Sequence, residues 1–337
     1  EKTGIPTLLT WKIIDLLDFD DPQYFGTPGG MGHRYANFVL QNADLLLVLG
    51  SRLDSSLTAW NHKNFALHAK KIVIDIDPTE TDKLDMDIAV RMDGDLAVIL
   101  PLLAAQDYKM AAELPAWQEY CMRMKAKYPA VTAEMRAEND YVDAHVFIDE
   151  LSRQLTADDV IVPESSGAAG EITYQALRVK NGQKVKNAAG LGSMGFGVPY
   201  ALGACLANGK RRTVLIDGDG AFQLNIQELA TIAQRRLPIK MFLWMNGGYA
   251  SIMGTQRNFF EGNYVAADVA SGLAIPDVGA VAEAYGFCVF HMDHAADLSC
   301  VMAETLASDG PALCLVRVSP FATASPRTKA VQLPNGS

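Results

Sequence analysis

Two polar residues, Asp219 and Asn246, stand where two apolar runs of the sequence end. The runs are Thr213–Ile216 and Ile239–Trp244, and between them lies a helical pattern of apolar residues that stops at Pro238. A strand–helix–strand crossover makes its two strands parallel neighbours, with their carboxyl ends at one edge of the sheet. Open α/β sheets bind ligands at that edge, so we expect Asp219 and Asn246 to lie together in a binding site.

These two side chains offer oxygen ligands of the kind that Mg²⁺ prefers, a carboxylate and an amide carbonyl. Glycines follow both of them, and Gly218 precedes Asp219, so the backbone can approach a ligand closely. A main-chain carbonyl and the oxygens of a diphosphate would complete an octahedral shell. Each dipeptide alone, Asp-Gly or Asn-Gly, is a common turn signal. The two on neighbouring strand ends together favour a metal–diphosphate site.

The composition indicates a soluble globular protein of two domains. The chain has 337 residues, 49% of them apolar, and no apolar run is long enough to span a membrane. Its net charge of −10 is spread without a basic block, which argues against nucleic acid as a partner. The five cysteines form no CxxC motif and there is no signal peptide, so we expect a cytoplasmic protein. The sequence begins at Glu1, which leaves open whether the chain is a natural subunit or a fragment.

Apolar runs alternate with helical patterns along most of the chain. This alternation predicts an α/β fold with two Rossmann-like domains, each a parallel sheet flanked by helices. We expect a first domain at residues 1–103, a linker with a helix at 104–140, and a second domain at 141–337. The two buried strands expected in the first domain end near Gly50 and Ile76. The second domain contains both Asp219 and Asn246, and we therefore expect the site there.

The segment Gly190–Gly195 reads GLGSMG, which matches the dinucleotide-binding pattern GxGxxG. A dinucleotide fingerprint needs a buried strand directly before it, and the preceding residues KVKNAA do not have that pattern. Nicotinamide binding is therefore the weaker interpretation of this segment.

Taken together, the motifs resemble a known family. Gly218, Asp219 and Gly220, followed by Asn246 after a strand, a helix and a strand, are similar to the signature of thiamine-diphosphate-dependent enzymes. The intervening FQLNIQELATIAQRRLPIK resembles the acetolactate synthase version, and GGYASIMGTQRNFF is similar to acetolactate-synthase-like proteins of surface-sugar gene clusters. GGMGHRYAN and KIVIDIDPTE resemble the central domain of the same enzymes. The family usually has two asparagines where this chain has Met245 and Asn246, and the second is the metal-binding one.

The resemblance implies a site for thiamine diphosphate and Mg²⁺ in the second domain. Mg²⁺ would be bound by Asp219, Asn246 and the Gly248 carbonyl. Met194 would lie beneath the bent cofactor, and its N–H and the Gly192 carbonyl would face the aminopyrimidine ring. The residues implied to contact the cofactor are Ser165, Ser166, Gly167, Gly192, Met194, Gly218, Asp219, Gly220, Ala221, Asn246, Gly248, Tyr249 and Ala250. Those implied to border the substrate channel are Ser251, Thr255 and Gln256.

Three of these assignments have structural alternatives. The segment 165–167 could instead be a turn that caps the next helix. Met194 could be an ordinary core methionine. Some family members hold FAD in the central domain, where it could contact Gly29, Gly30 and Gly32, but a tight turn explains these glycines better.

The resemblance implies decarboxylation of a 2-oxo acid, pyruvate, followed by carboligation, as in acetolactate synthases. Thr255 stands where those enzymes have a tryptophan that shapes acceptor choice. A first alternative is therefore two-carbon transfer to a nucleotide-linked keto-sugar. The family's activating glutamate belongs to a pyrimidine-binding domain that we do not find in this sequence, so we expect the chain alone to be inactive. A second alternative is a non-catalytic cofactor-binding subunit of a split enzyme.

The resemblance also implies association between subunits. In the family a diphosphate-binding domain meets the pyrimidine-binding domain of another subunit, so we expect a homodimer or homotetramer. Soluble proteins usually cover apolar patches of the kind that lies near the motifs. The residues of this patch, called here the apolar rim, are Leu191, Met194, Phe196, Tyr249 and Ile252.

Overall fold

The computed structural model describes residues 3–164, 166–188 and 190–328. The chain forms two compact units. The first unit contains the described residues up to Trp11, Asp21–Ala130 and the described residues from Ser325. The second unit contains Lys12–Asp20 and Val131–Ala324.

The first unit is built on a three-stranded parallel sheet with the strand order β1-β2-β3. Three of its helices begin at an aspartate whose side chain accepts a hydrogen bond from the helix backbone, which stabilises a helix N-terminus. The strands are β1 Leu45–Leu49, β2 Lys70–Asp75 and β3 Val90–Asp93. The helices are α1 Arg34–Asn42, α2 Ser55–Thr58, α3 Pro78–Asp82, α4 Leu96–Ala104 and α5 Leu114–Lys127, with a 3-10 turn at His62–Asn64. A further 3-10 turn, Trp11–Ile13, begins at the last residue of the first segment of this unit and continues into the second unit.

The two faces of this small sheet differ in exposure. Val48 and Val73 point into a core that also contains residues of α1 and α2. The opposite face carries large apolar side chains that remain exposed. In β1 they are exposed although the strand is continuously apolar, as in a strand buried on both faces. They are Leu45, Leu47 and Leu49 of β1 and Val90 and Met92 of β3.

The second unit is built on a six-stranded sheet with the order β5-β4-β6-β7-β9-β8, parallel throughout. Its strands are β4 Val160–Pro163, β5 Lys184–Val185, β6 Thr213–Gly218, β7 Ile239–Met245, β8 Cys288–Met292 and β9 Ala312–Arg317. Its helices are α6 Ala133–Arg136, α7 Ala144–Gln154, α8 Gly167–Ala176, α9 Gly197–Ala207, α10 Asp219–Phe222, α11 Leu229–Gln234, α12 Ala250–Phe259, α13 Val278–Ala284 and α14 Leu298–Ala307. The 3-10 segments are Gln223–Glu228 and Ala295–Asp297.

The central strands of the second unit are buried on both faces. Every residue of β7 except Met245 is buried, and β6 and β9 are buried over most of their length. Phe147 of α7 covers one face and meets the rings of Phe242 and Trp244 edge to face, at centroid distances of 5.3 and 6.0 Å. Rings in this arrangement attract each other beyond the effect of burial alone. The sheet that holds the candidate site is therefore rigidly packed.

The α/β fold class predicted from the sequence, with parallel sheets flanked by helices, is confirmed. The boundaries predicted at residues 103 and 140 stay a prediction. The single helix expected between β6 and β7 is wrong in detail, because α10 is followed by the 3-10 segment Gln223–Glu228, and Asn225 there has non-helical backbone angles. KVKNAA contains the two-residue strand β5, which the sequence did not predict. Among the described residues, no helix is long and apolar enough to cross a membrane.

Candidate functional site

The crossover from β6 to β7 brings the two expected polar residues to one edge of the sheet. Strands β6 and β7 pair in parallel, with Gly218 opposite Trp244. Asp219 is the first residue of α10, directly after β6, and Asn246 follows the last residue of β7. Both side chains are buried, with exposures of 1% for Asp219 and 8% for Asn246. The sequence therefore predicted their meeting correctly.

The Asp219 carboxylate is held by backbone N–H groups of the turn after β7. Its Oδ2 accepts a hydrogen bond from Gly247 N at 2.8 Å, and its Oδ1 accepts one from Gly248 N at 3.2 Å. Burial raises the pKa of Asp219 to about 6, although the backbone hydrogen bonds of this turn act in the lowering direction. A cation beside the carboxylate would stabilise its charged form, since bound cations are the largest local charges in such sites.

Three polar groups of this turn meet, and they are called here the oxygen group: the Asp219 carboxylate, the Asn246 amide and the Gly248 carbonyl. The Asn246 amide is assigned with its Nδ2 toward the other two, where it donates hydrogen bonds to the Gly248 carbonyl oxygen at 2.8 Å and to Asp219 Oδ1 at 2.9 Å. Rotating the amide by half a turn would instead present Asn246 Oδ1 to a cation beside Asp219 and the Gly248 carbonyl oxygen.

The spacing of these groups fits an octahedral Mg²⁺. Its ligands lie at about 2.1 Å from the metal, so neighbouring ligands of an octahedron are about 3 Å apart. The Asn246 amide atom that faces Asp219 Oδ1 and the Gly248 carbonyl oxygen lies at distances of that size, so rotation of the amide would place an oxygen there at ligand spacing. Within the part of the chain that the structure describes, no cluster of three His, Cys, Asp or Glu side chains could hold a metal. The donor set here is of another kind, since it combines one carboxylate with an amide oxygen and a main-chain carbonyl.

Tyr249 and the start of α12 are packed against the Gly-Asp-Gly turn. A Cβ atom on Gly220 would lie 2.5 Å from Tyr249 Cδ1 and 2.7 Å from its Cε1. The tyrosine ring therefore rests directly on the glycine backbone. Ala221 is buried beside this contact, and Ala250 begins α12. These residues, predicted as cofactor contacts, surround the oxygen group, and their contact with a cofactor stays a prediction.

The segment before α8 approaches the same side of the unit. Gly167, the first residue of α8, lies close to Ser251 of α12, because a Cβ on Gly167 would be 3.2 Å from Ser251 Oγ. Ser166 stands at the N-cap position of α8 but makes no side-chain capping bond. Its hydroxyl is therefore not used as the helix-cap alternative requires. Ser165 lies outside the described residues.

The turn Gly190–Gly195 ends at the start of α9, next to the 3-10 segment after α10. Met194 is half-buried, so it is not the fully buried core methionine of the alternative interpretation. Leu191 is 93% exposed. Strand β5 ends at Val185, well before the turn, and is only two residues long, which does not match a dinucleotide fingerprint.

Two buried carboxyl groups that the sequence analysis did not assign lie behind this turn. Glu164 at the end of β4 and Asp217 in β6 point to the same place, since a Cβ on Gly197 would lie 2.8 Å from Asp217 Oδ2 and closer still to Glu164 Oε2. Burial and the neighbouring Glu164 raise the pKa of Asp217 well above its usual range. Two like charges close together disfavour each other's ionisation, which adds to the effect of burial on the pKa of Asp217. The sequence signal that could have identified these two carboxyl groups is their position at the ends of two apolar runs, which form the paired strands β4 and β6.

The residues predicted to border the substrate channel lie along α12. Thr255 is exposed, and its hydroxyl donates to the Ser251 carbonyl oxygen at 3.1 Å. Gln256 is bound at both ends of its amide by the backbone of Val265, at 3.3 and 3.2 Å. The Gln256 amide thus holds the loop after α12, whereas the Thr255 side chain faces open space.

In the first unit, the glycines considered for FAD form a tight turn. Gly29 exchanges two hydrogen bonds with the Asn37 side chain, at 2.8 and 2.9 Å, and Gly32 N donates to the Gly29 carbonyl oxygen. Gly30 N donates to the Ser56 carbonyl oxygen. A separate open pocket of about 470 Å³ lies at the carboxyl ends of β1, β2 and β3. Its lining residues are Gly50, Arg52, Asp75, Ile76, Asp77, Glu80, Gly94, Asp95 and Leu96.

Comparison with known proteins yields matches to both parts of the chain. Residues 166–316 match the thiamine pyrophosphate enzyme C-terminal TPP binding domain, and residues 1–102 match the thiamine pyrophosphate enzyme central domain. The acetolactate synthase isozyme 2 large subunit of Escherichia coli K12 is 31% identical over 316 residues, covering 94% of this chain and 55% of its own length. The isozyme 1 large subunit of the same organism is 30% identical over 321 residues, again covering 94% and 55%.

A plant protein gives a similar result. A probable chloroplastic acetolactate synthase 2 of Oryza sativa is 30% identical over 326 residues, covering 93% of this chain and 48% of its own length. The chain spans about half the length of the curated relatives it matches.

Proposed function

The chain belongs to the thiamine pyrophosphate enzymes, carrying their central and C-terminal TPP-binding domains, and we propose on that basis that it acts in Mg²⁺- and thiamine-diphosphate-dependent decarboxylation of a 2-oxo acid with carboligation, as an acetolactate-synthase-like transferase. The 2-oxo acid that we propose is pyruvate. The single observation that carries the proposal is the meeting of the Asp219 carboxylate, the Asn246 amide and the Gly248 carbonyl at one edge of the sheet. Its spacing and its burial fit a metal that bridges to a diphosphate.

Each residue at the site has a defined task in this proposal. Asp219, Asn246 and the Gly248 carbonyl would bind Mg²⁺. The backbone N–H groups at the start of α8, with Ser166 and Gly167, would bind diphosphate oxygens, since helix N-termini favour anions. Met194 would support the cofactor from below. Thiamine diphosphate, when bound, supplies the carbon chemistry by which a 2-oxo acid loses CO₂.

The acceptor substrate is the finer part of the proposal. Pyruvate as acceptor would give acetolactate. Thr255 is small and exposed at the position implied to shape acceptor choice, and this observation favours a larger acceptor. Two-carbon transfer to a nucleotide-linked keto-sugar is therefore our second candidate. The third candidate is a non-catalytic cofactor-binding subunit of a split enzyme.

The proposal assigns no residue of this chain as the activating glutamate. That group would come from a pyrimidine-binding domain of the same gene product or of a partner subunit, so the 337-residue chain alone is expected to be inactive. The apolar rim supports such a partner, because Leu191, Phe196 and Ile252 are exposed beside the site. We propose a homodimer or homotetramer in the cytoplasm, with the partner domain covering this rim.

FAD is a second candidate cofactor, and the open pocket of the first unit is the better place for it than the turn at Gly29–Gly32. That turn is filled by its own hydrogen bonds. In the pocket, Asp75 stands at the end of β2 near Arg52. A carboxylate at a parallel strand end is the group that binds ribose hydroxyls in dinucleotide sites.

Paired substitutions in the two units test these assignments. Asp219→Ala removes a direct metal ligand, whereas Asp75→Ala removes a similarly buried carboxylate at a strand end of the other unit. Loss of a group that only supports a metal ligand already weakens metal binding by 10-fold to 100-fold, so we expect Asp219→Ala to weaken Mg²⁺–thiamine diphosphate binding by at least about 100-fold. Calorimetric titration of the chain with Mg²⁺ and the cofactor measures this affinity.

The control variant makes the outcome specific. Asp75→Ala should bind thiamine diphosphate with unchanged affinity, and Asp219→Ala should leave any quenching of FAD fluorescence by the chain unchanged. Equal thiamine diphosphate affinity in the two variants would exclude Asp219 as the metal ligand.

A further inference from the structure

Two segments assigned to the cofactor in the proposed function come from different parts of the chain. The turn Gly190–Gly195 belongs to the connection before α9, whereas Gly218–Ala221 follows β6. A bound cofactor would need them at a fixed separation, because one segment is assigned to the aminopyrimidine ring and the other to the metal and diphosphate. The structure joins the two segments through one side chain, Asn225.

Asn225 makes a direct hydrogen bond to the turn. Its Nδ2 donates to the Gly195 carbonyl oxygen at 2.6 Å. Its Oδ1 accepts a hydrogen bond from Gln227 Nε2 at 3.2 Å. The two bonds require opposite ends of the amide, so together they fix which end faces the turn.

The backbone at Asn225 departs from the helix on both sides. Its φ and ψ are −137° and 34°, between α10 and α11, which both have helical geometry. Asn225 follows Asp219 by six residues and directly precedes Ile226, where the helical pattern of the sequence begins. Short 3-10 stretches inside helices often mark functional positions. Here the break coincides with the residue that bonds the turn.

Gly195 lies directly on the segment that begins with Asp219. A Cβ there would be 2.6 Å from Leu224 Cβ, 3.2 Å from Asn225 Nδ2 and 3.4 Å from the Ala221 carbonyl oxygen. Its φ of +78° is also one that side chains other than glycine rarely adopt. Close packing and one hydrogen bond therefore hold the residue next to Met194 against the metal-binding segment.

We propose that Asn225 is a positioning residue of the cofactor site, which fixes the turn of Gly192 and Met194 relative to Asp219 by bonding the Gly195 carbonyl. The inference rests on the proposed function, since it assumes that both segments bind the same cofactor. The side-chain hydrogen bonds of Asn225 go to Gly195 and Gln227, and neither residue is a proposed metal ligand or ring contact. Its effect is on the alignment of the two subsites, and it leaves the metal ligands unchanged.

The test separates alignment from binding at the metal. The probes are Mg²⁺–thiamine diphosphate, which uses both segments, and Mg²⁺ with inorganic diphosphate, which uses only the metal–diphosphate segment. Asn225→Asp keeps the shape of the side chain and removes the donor. Loss of one hydrogen bond corresponds to about 5-fold to 10-fold in affinity, which we expect for thiamine diphosphate, with inorganic diphosphate affinity changed less than about 2-fold.

Two further variants keep the test interpretable. Asn225→Ala removes both hydrogen bonds of the amide. Like Asn225→Asp, it should lower the ratio of the affinity for Mg²⁺–thiamine diphosphate to the affinity for Mg²⁺ with inorganic diphosphate. Gln227→Ala removes only the partner of Asn225 Oδ1 and leaves the Nδ2 donor in place, so it should lower this ratio less than Asn225→Asp does. Thermal melting without ligand shows whether each variant is folded, and a ratio that falls in a variant with an unchanged melting temperature supports the positioning role.

The outcomes distinguish this inference from the proposed function. If the parent chain binds neither probe, the proposed function fails and the inference with it. If the parent binds both and Asn225→Asp lowers both affinities equally, Asn225 only stabilises the fold and the inference is overturned. If Asn225→Asp changes neither affinity, the inference is overturned while the metal–diphosphate site stands.

Discussion

The two units of this protein both place an aspartate at the carboxyl end of a parallel strand, with different results. Asp75 is the last residue of β2 in the first unit, and Asp219 directly follows β6 in the second. In the first unit, Asp75 Oδ1 accepts a hydrogen bond from Asp77 N, only two residues further on. In the second, Asp219 accepts from Gly247 and Gly248, which follow the next strand.

The sequence separation between the carboxylate and its hydrogen-bond donors distinguishes a local turn from a candidate ligand site. A carboxylate that bonds its own turn is satisfied locally, and its neighbours need not converge on it. A carboxylate bonded to another strand end brings that strand's polar groups with it, here Asn246 and the Gly248 carbonyl. An aspartate at a strand end therefore indicates a ligand site only where a crossover supplies a second set of polar groups.

The units also differ in how their sheets are covered. The strands β6, β7 and β9 are buried on both faces, whereas one face of β1 and β3 remains exposed. Burial on both faces immobilises the strand ends that carry the site, because densely packed interiors resist displacement. We expect substitutions in the two units to show this difference, in three experiments of decreasing effect.

The largest effect is expected in the core of the second unit. Phe147→Ala removes a side chain that is fully buried against Phe242 and Trp244, and truncating a buried phenylalanine costs about 3 to 5 kcal/mol of unfolding free energy. Leu47→Ala removes a side chain that is 44% exposed on β1, and we expect a cost of less than about 1 kcal/mol. Urea unfolding followed by circular dichroism measures both. Equal costs would show that the exposed face of β1 is buried in solution.

An intermediate effect is expected where glycine permits close contact. Gly220→Ala places a Cβ 2.5 Å from the Tyr249 ring, which is packed beside the oxygen group, so we expect about 1 to 3 kcal/mol of destabilisation from overpacking. Gly94→Ala in the first unit also places a Cβ at 2.5 Å, but from the terminal Cδ1 of Ile99, which can rotate away. Its change should stay within about 0.5 kcal/mol.

The same pair of variants also tests the link to the site. Gly220→Ala should weaken Mg²⁺–thiamine diphosphate binding in calorimetry, because displacement of Tyr249 moves the turn that carries Gly248. Gly94→Ala should leave Mg²⁺–thiamine diphosphate binding unchanged. If Gly220→Ala loses stability but keeps its affinity, the packing of Tyr249 does not position the metal ligands.

The smallest effect concerns the pH dependence of the second unit. Burial lowers the pKa of His145, although its hydrogen bond with Gln175 and the nearby Asp143 act in the raising direction. In the unfolded chain His145 takes up a proton near pH 6.5, whereas in the folded chain it resists protonation. The stability that comes from burying the neutral imidazole is therefore fully present above about pH 6.5 and is lost as the pH falls below that value.

His145→Gln retains an amide donor for Gln175 and cannot titrate. Its unfolding free energy should therefore fall less steeply between pH 7 and pH 5.5, by at most about 1.4 kcal/mol per pH unit. Urea unfolding at several pH values measures the two slopes. Parallel slopes for His145→Gln and the parent chain would show that His145 is solvated in the folded state.

Much of the site could be predicted because it depends on one short crossover. The apolar runs at Thr213–Ile216 and Ile239–Trp244 are strands, and a parallel crossover leaves little freedom in where Asp219 and Asn246 meet. The α/β class follows from the same alternation of periods along the chain. These features depend on residues close in sequence, whose spacing specifies the local structure.

The break in the helix after α10 could not be predicted in this way. The apolar spacing there suits a continuous helix, and helical propensity is a weak term that tertiary contacts override. The contact in question is Asn225 with the Gly195 carbonyl, across 30 residues of sequence. A pattern of neighbouring residues carries no information about a contact over that separation.

By itself, the sequence predicted that Asp219 and Asn246 lie at one edge of one sheet. Only the tertiary structure decided that the Asn246 amide lies within 3 Å of both Asp219 Oδ1 and the Gly248 carbonyl oxygen, and that Glu164 and Asp217 point to one place beside Gly197. The reason is physical: strand and helix periods act over a few residues, whereas the approach of atoms from separate elements depends on packing throughout the unit.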